Sequence, residues 1–401
     1  MDRPPGRHTT RGGSTVTTRR PARSLIFSVT AMGLLNNALL MSSTPEILET
    51  FGAPTSRAGL LIGCGTVTGI VAAPAMGFLA DRHGRKRVLI PCLVVFGVFG
   101  ALGGLAPSLG WLLAARVCQG IGSAGLINLA VVILSDHWSG LDRARLIGHN
   151  SAVITACLAV FPLIGGVTTD LVGWRWMFGF YAMALVVAAA VAVRLVDSWE
   201  PRPVTVGMQL RGAWSEVRRP AMASVVFLDG VIFFVMFGLF LTVMPIYLDE
   251  AFGLGPTQRG LVAAAPAITS TISALLVASA RRRFSAARLV QVGIAVFGLT
   301  FLLMGIGPLW LLVVGAAVYG LAEGLTIPTL QDLVAEWAPE HVRGAVMAMS
   351  TGVLRLGQTS GPLAAGFALG LWSGQVIFFL AGFGVFALAG IVAVSRVIET
   401  G

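Results

Sequence analysis

Charge is scarce in this chain, and its scarcity excludes the most. Only 11% of the 401 residues are Asp, Glu, Lys or Arg, against about 25% in ordinary soluble domains. With 56% hydrophobic residues, no water-soluble fold could cover its own surface. There is one lysine, Lys86, and it follows Arg85. A Walker A loop needs glycine directly before its lysine, so phosphate binding of that kind is excluded. The four cysteines (Cys64, Cys92, Cys118, Cys157) fall in apolar segments without a C-x-x-C pair and read as small buried residues. None of the five histidines has a metal-binding spacing. No loop carries a nucleophile elbow or paired catalytic carboxylates, so neither an enzyme nor a bound metal or cofactor is expected. Period-two alternation over about 10 residues, the mark of a membrane barrel strand, is missing too.

What the chain has instead is long apolar runs, of the length of about 20 residues that a membrane-spanning helix needs. Twelve can be read, near residues 24–46, 57–79, 88–106, 110–134, 146–169, 175–196, 221–248, 259–280, 287–306, 309–332, 344–370 and 374–396. The longest polar interruption, 197–220, divides them into two sets of six. The expected organisation is an all-α integral membrane protein. It has a disordered cytoplasmic tail (1–23), an N-terminal six-helix bundle (24–196), a cytoplasmic linker (197–220) and a C-terminal six-helix bundle (221–396).

Orientation follows from arginine. With the N-terminus placed in the cytoplasm, inner loops and tails hold 23 of the 28 Lys and Arg residues, and the outer loops hold only Arg57, Arg175 and Arg259. This positive-inside bias puts both termini in the cytoplasm. The net charge of +10 therefore reflects topology and not nucleic-acid binding. Trp111, Trp174, Trp176, Trp310 and Trp372 lie near outer span ends, as an interfacial aromatic belt requires. The ratio of 27 Arg to one Lys points to a GC-rich bacterial genome and hence to a bacterial inner membrane.

The halves repeat. A shift of 200 residues aligns Pro45 with Pro245, Gly120 with Gly320, Asp136 with Glu336, Arg143 with Arg343, Pro162 with Pro362 and Gly166 with Gly366. One inserted residue then aligns Gly59 with Gly260 and Arg82 with Arg283. Two six-helix halves in one orientation imply a pseudo-twofold axis along the membrane normal and a site between them near the midplane.

Residues 77–88 read GFLADRHGRKRV, a knot of cations around one acid between two apolar runs. Gly77, Asp81, Arg82, Gly84, Arg85 and Lys86 match the G-x-x-x-D-R-x-G-R-K loop of the major facilitator superfamily, which the chain resembles over residues 24–396. Arg116, Gly120 and Gly122 resemble the R-x-x-x-G-x-G motif in span 4 of its proton-coupled members, drug–proton antiporters especially. The antiporter motif of span 5 is incompletely kept. Pro162, Gly165 and Gly166 match, whereas Cys157 and Phe161 replace its leading glycines. Span 11 carries the fuller echo in Gly357, Gly361 and Pro362. These Gly and Pro residues permit close helix approach and bends.

The resemblance implies alternating access around a central cavity lined by spans 1, 4, 7 and 10. It also implies a latch role for the Gly77–Lys86 loop, which in the family contacts the opposite half and favours the outward-open state. Ionisable residues inside spans cost roughly 2.5–3.5 kcal/mol each at a helix centre, so Arg116, Asp229, Glu323 and Arg355 are the candidate coupling and cavity residues. Glu323 or Asp229 would carry the proton, with Arg116 tuning it. Asn36, Asn37, Asn128, Gln331 and Gln358 are further cavity candidates. The expected activity is proton-coupled efflux of a small amphipathic, drug-like compound by a monomer in a lipid bilayer. A symporter or uniporter for a sugar or organic acid is the alternative within the class. A membrane sensor or scaffold that has lost transport is the alternative outside it.

Overall fold

In lipid every backbone polar group must be satisfied within its own segment, and uninterrupted runs of Leu, Ala, Val and Phe do so as helices. The computed structural model describes residues 21–195, 206–340 and 342–395, and every regular element among them is helical. Most of the expected tail (residues 1–20), the last residue of the expected first bundle (196) and the first stretch of the expected linker (197–205) lie outside the described residues. The spans are α1 (Arg23–Thr50), α2 (Thr55–His83), α3 (Arg85–Gly103), α4 (Leu109–His137), α5 (Gly140–Val172), α6 (Trp174–Arg194), α7 (Pro220–Phe252), α8 (Pro256–Ala280), α9 (Ala286–Gly305), α10 (Leu309–Trp337), α11 (Arg343–Leu369) and α12 (Gly374–Ser395). A short linker helix, Val206–Val217, precedes α7.

Eleven of these are long and apolar enough to cross a membrane. The remaining one, α11, has the length but carries Ser350, Thr351, Arg355, Gln358, Thr359 and Ser360 along its middle. Several helices outrun the apolar runs that betray them. α5 starts at Gly140, where the sequence suggests 146, because its first turns carry Asp142, Arg143 and Arg145. Hydropathy reports the greasy portion of a helix, not the helix.

Two interruptions share a cause. Pro45 and Pro245 both sit near the start of a short terminal helix, Thr44–Thr50 in α1 and Met244–Phe252 in α7. Proline cannot donate to the carbonyl four residues back, and its ring crowds it. The chain just before Pro45 tightens to a 3₁₀ turn, Met41–Ser43, and the chain before Pro245 widens to a π segment, Met236–Val243. Gly84 turns the chain between α2 and α3 at φ +100°, and Gly173 does the same between α5 and α6 at φ +93°. That backbone region suits glycine alone.

Buried apolar side chains form two large clusters. One runs from Leu25 to Leu195 and the other chiefly from Ala213 to Val392. Met41 and Ile62 of the first half join the second cluster, so the halves are packed together where those residues lie. Of the five tryptophans expected at the interface, Trp174 is instead buried against Phe51 and Phe178 and donates from Nε1 to Thr50 Oγ1 at 2.9 Å.

Candidate functional site

The halves meet closely at the end opposite the arginine-rich loops. Two glycines from one alignment of the repeat make the contact. Gly59 of α2 lies against the Pro362 carbonyl of α11, and Gly260 of α8 lies against the Pro162 carbonyl of α5. Gly166 and Gly366 extend these seams, against Pro256 and Ser56. Any larger residue there would meet backbone, not a side chain that can turn away.

Charge closes the same end. Arg259, at the start of α8, is 1% exposed. Its Nε donates to the Ser42 carbonyl at 3.0 Å, and its Nη atoms pair with Glu46 of α1 and, at 2.9 Å, with Asp249 of α7. Beside it, the amide of Thr257 donates to Asp170 Oδ2 at 2.9 Å. A carboxylate of α5 thus caps the positive end of a helix in the other half. The ion pairs described at the arginine-rich end stay within one half: Arg85 with Asp81 and Asp136, and Arg281 with Glu336. Within the Gly77–Lys86 loop, Arg85 therefore ties the end of α2 to the end of α4.

Between the two ends lie the intramembrane charges. Arg116 of α4 is fully buried in a cage of neutral acceptors. Nη1 donates to Asn36 Oδ1 at 3.0 Å and to Gln119 Oε1 at 2.8 Å, and Nη2 donates to Asn37 Oδ1. Asn36 is itself fixed, its Nδ2 donating to the Gly65 carbonyl at 2.8 Å and its own carbonyl accepting from Tyr181 OH at 3.1 Å. Gly120 and Gly122 seat α4 against α2 and α3, a Cβ on Gly122 lying 2.5 Å from the Cys92 carbonyl.

Arg355 of α11 is half-buried and donates to Gln358 Oε1 at 3.3 Å. Next to it the halves touch through hydroxyls, Thr359 Oγ1 donating to Thr66 Oγ1 at 3.2 Å. Gly357 and Gly361 bring α11 against α7, at the carbonyls of Gly230 and Phe234, whereas Gly165 brings α5 against α1 at Leu39.

Asp229 of α7 is 2% exposed, and its Oδ1 has no hydrogen-bond partner. Glu323 of α10 is half-buried, one turn beyond Tyr319. The buried Tyr319 ring stacks on Phe240 at 4.5 Å, and its hydroxyl also lacks a partner. Among the described residues, no ion pair joins any two of Arg116, Asp229, Glu323 and Arg355. Asn128 and Gln331 are exposed and bond neither arginine.

A separate cavity of about 310 Å³ opens at the side of the first half, between α2, α3 and α4. Its walls are apolar except for His83 and Arg87 at the arginine-rich end, and none of the four charged residues lines it.

Three comparisons bear on this arrangement. Residues 26–255 and 226–400 match the sequence model of the family described as the Major Facilitator Superfamily. The bacillibactin exporter of Bacillus subtilis is 30% identical over 160 residues, 38% of this chain, and the match spans only 39% of the exporter. The multi-drug resistance efflux pump PmrA of Streptococcus pneumoniae is 24% identical over 356 residues, 85% of this chain and 88% of the pump. Among solved structures, a bacterial homologue of the human lysosomal transporter Spinster, inward-facing and unoccupied, superposes with a TM-score of 0.73. It is 18% identical and covers 94% of each chain.

Proposed function

The chain belongs to the Major Facilitator Superfamily, and from that premise we propose that it is a secondary transporter exporting a small amphipathic compound in exchange for protons. The observation that carries the reading is the asymmetry of the seam. Cross-half bonds through the buried Arg259 and the exposed Asp170 join the halves at one end, while the ion pairs described at the arginine-rich end each stay in one half. With arginine-rich loops in the cytoplasm, this is the inward-facing member of an alternating pair. PmrA and the bacillibactin exporter, by their names, move compounds outward, which supports export as the direction.

Protons couple to this motion through Glu323 or Asp229, carboxyls that no described arginine neutralises in this conformation. Arg116 supplies a fixed charge whose distance from those acids changes as the halves rock, and so changes their hold on a proton. The protein works as a monomer in a bacterial inner membrane with both termini in the cytoplasm.

The test is transport in proteoliposomes under an imposed pH gradient, with proton and compound movement read together. Replacing Glu323 by Gln and Asp229 by Asn in one chain is expected to abolish proton-driven accumulation while facilitated exchange of the compound persists. Unchanged proton movement in that double variant sinks the coupling assignment.

A further inference from the structure

The four intramembrane charges are not alike in how they tolerate burial. A carboxyl discharges itself by binding a proton, as Asp229 and Glu323 can. A guanidinium does not deprotonate in proteins and keeps its charge wherever it is placed. Two of them stand in this layer with no carboxylate paired to them among the described residues. Arg116 at least has three strong neutral acceptors. Arg355 has one, the 3.3 Å bond from Nη1 to Gln358. Its Nε is buried without a partner, and Nη2 beside it bonds nothing among the described residues, so one whole edge of the fork is unused.

That edge lies beside a contact between the two halves. Arg355 belongs to α11 but reaches the other half, where a Cβ placed on Gly69 would lie 3.7 Å from Nη1. Arg116 meets the same helix from its own half at Gly65, Nη2 being the nearest atom to a Cβ there. Gly65 and Gly69 are one turn apart, so the two guanidinia converge on about 6 Å of α2. The helix is interrupted between them at Thr68. Glycine at both positions leaves the arginines room that any side chain would fill.

We propose that the Nε–Nη2 edge of Arg355 receives an anionic group of the transported compound, a carboxylate or a similar planar oxyanion, with Arg116 adding positive charge from about one turn away along α2. Side-by-side N–H donors on a planar fork match two carboxylate oxygens, and such bidentate pairs are among the stronger hydrogen bonds. The selected substrates are thus amphipathic acids. This names the substrate class for the transport reading above and rests on it.

The experiment uses the purified full chain in detergent and a matched fluorescent pair, dansylglycine and its neutral amide. Affinity is read by thermal stabilisation and fluorescence. The acid is expected to bind at least about tenfold more tightly than the amide. Arg355→Gln is expected to erase that preference, and Arg355→Lys to keep a fraction of it. Unliganded melting of each variant checks folding, and the lysine variant keeps the charge if the glutamine variant is unstable. Equal binding of acid and amide, binding of neither, or an undiminished preference in Arg355→Gln overturns the proposal. Binding needs no gradient. A chain that prefers the acid yet moves nothing in vesicles sinks the export reading alone, and a chain that transports without acid preference sinks this one alone.

Discussion

At the scale of single residues, burial and charge together single out the candidates. Arg116, Asp229, Glu323 and Arg355 could be picked from the sequence because ions are rare in greasy helices. Gln119 lies inside the motif that flagged Arg116, three residues on, and only the structure shows it as a ligand of that guanidinium. Tyr181 left no signal, because nothing local ties α6 to Asn36. Arg259 was legible only as one of the few outer-loop cations. Its partner Glu46 is 213 residues away in sequence, a distance no local pattern spans.

Removing the Arg259 side chain leaves two acids without their cation. Fully buried pairs cost about 4 kcal/mol to break and surface pairs about 0.5 kcal/mol. Glu46 and Asp249 are 26% and 43% exposed, so the loss falls between these limits. About 2 kcal/mol corresponds to a roughly 30-fold shift in a two-state equilibrium. The bonds to Ser42 and Glu46 cross between the halves and need this end shut, whereas the Asp249 pair lies within one half, so Arg259→Ala is expected to favour the state open there. Thiol labelling of Ser42→Cys from outside, in a background without the four native cysteines, should speed up severalfold. An unaltered labelling rate would show that the network does not hold the gate.

At the scale of elements, all twelve spans were readable from apolar length, but their ends and interruptions were not. Charged first turns hid the start of α5, and the same proline produced a tightened turn in α1 and a widened one in α7. Glycine positions sort by what they pack against. Gly357 lies backbone to backbone against Gly230, whereas Gly352, on the same helix, has open space. Gly357→Val forces α7 and α11 apart and should destabilise by about 1–3 kcal/mol. Gly352→Ala should be neutral or stabilise by up to about 1 kcal/mol. Thermal melting of the two variants in detergent measures the difference, and equal melting temperatures would refute the seam.

At the scale of the whole molecule, the internal repeat was the most informative feature of the sequence. It aligned Gly59 with Gly260 and Pro162 with Pro362, the four residues that make the matched contacts between halves. The repeat gave no indication of which end is closed, since both ends have equivalent residues in both conformations. The Gly77–Lys86 loop belongs to this scale. If it latches the arginine-rich end shut in the opposite conformation, Asp81→Asn should lengthen the distance between spin labels at Arg143 and Arg343, two exposed sites related by the repeat. A distance distribution identical to that of the unsubstituted chain would remove the latch.

The paired Gly–Pro contacts constrain how the molecule travels between its two shapes. One lies on α2 and α11 and the other on α5 and α8, on opposite flanks of the pseudo-twofold axis. For either flank to separate while the other stays seated, a half would have to bend, yet each half is a single close-packed core. The stroke is therefore concerted. With neither contact able to part alone, the two end states are expected to be favoured over anything between them.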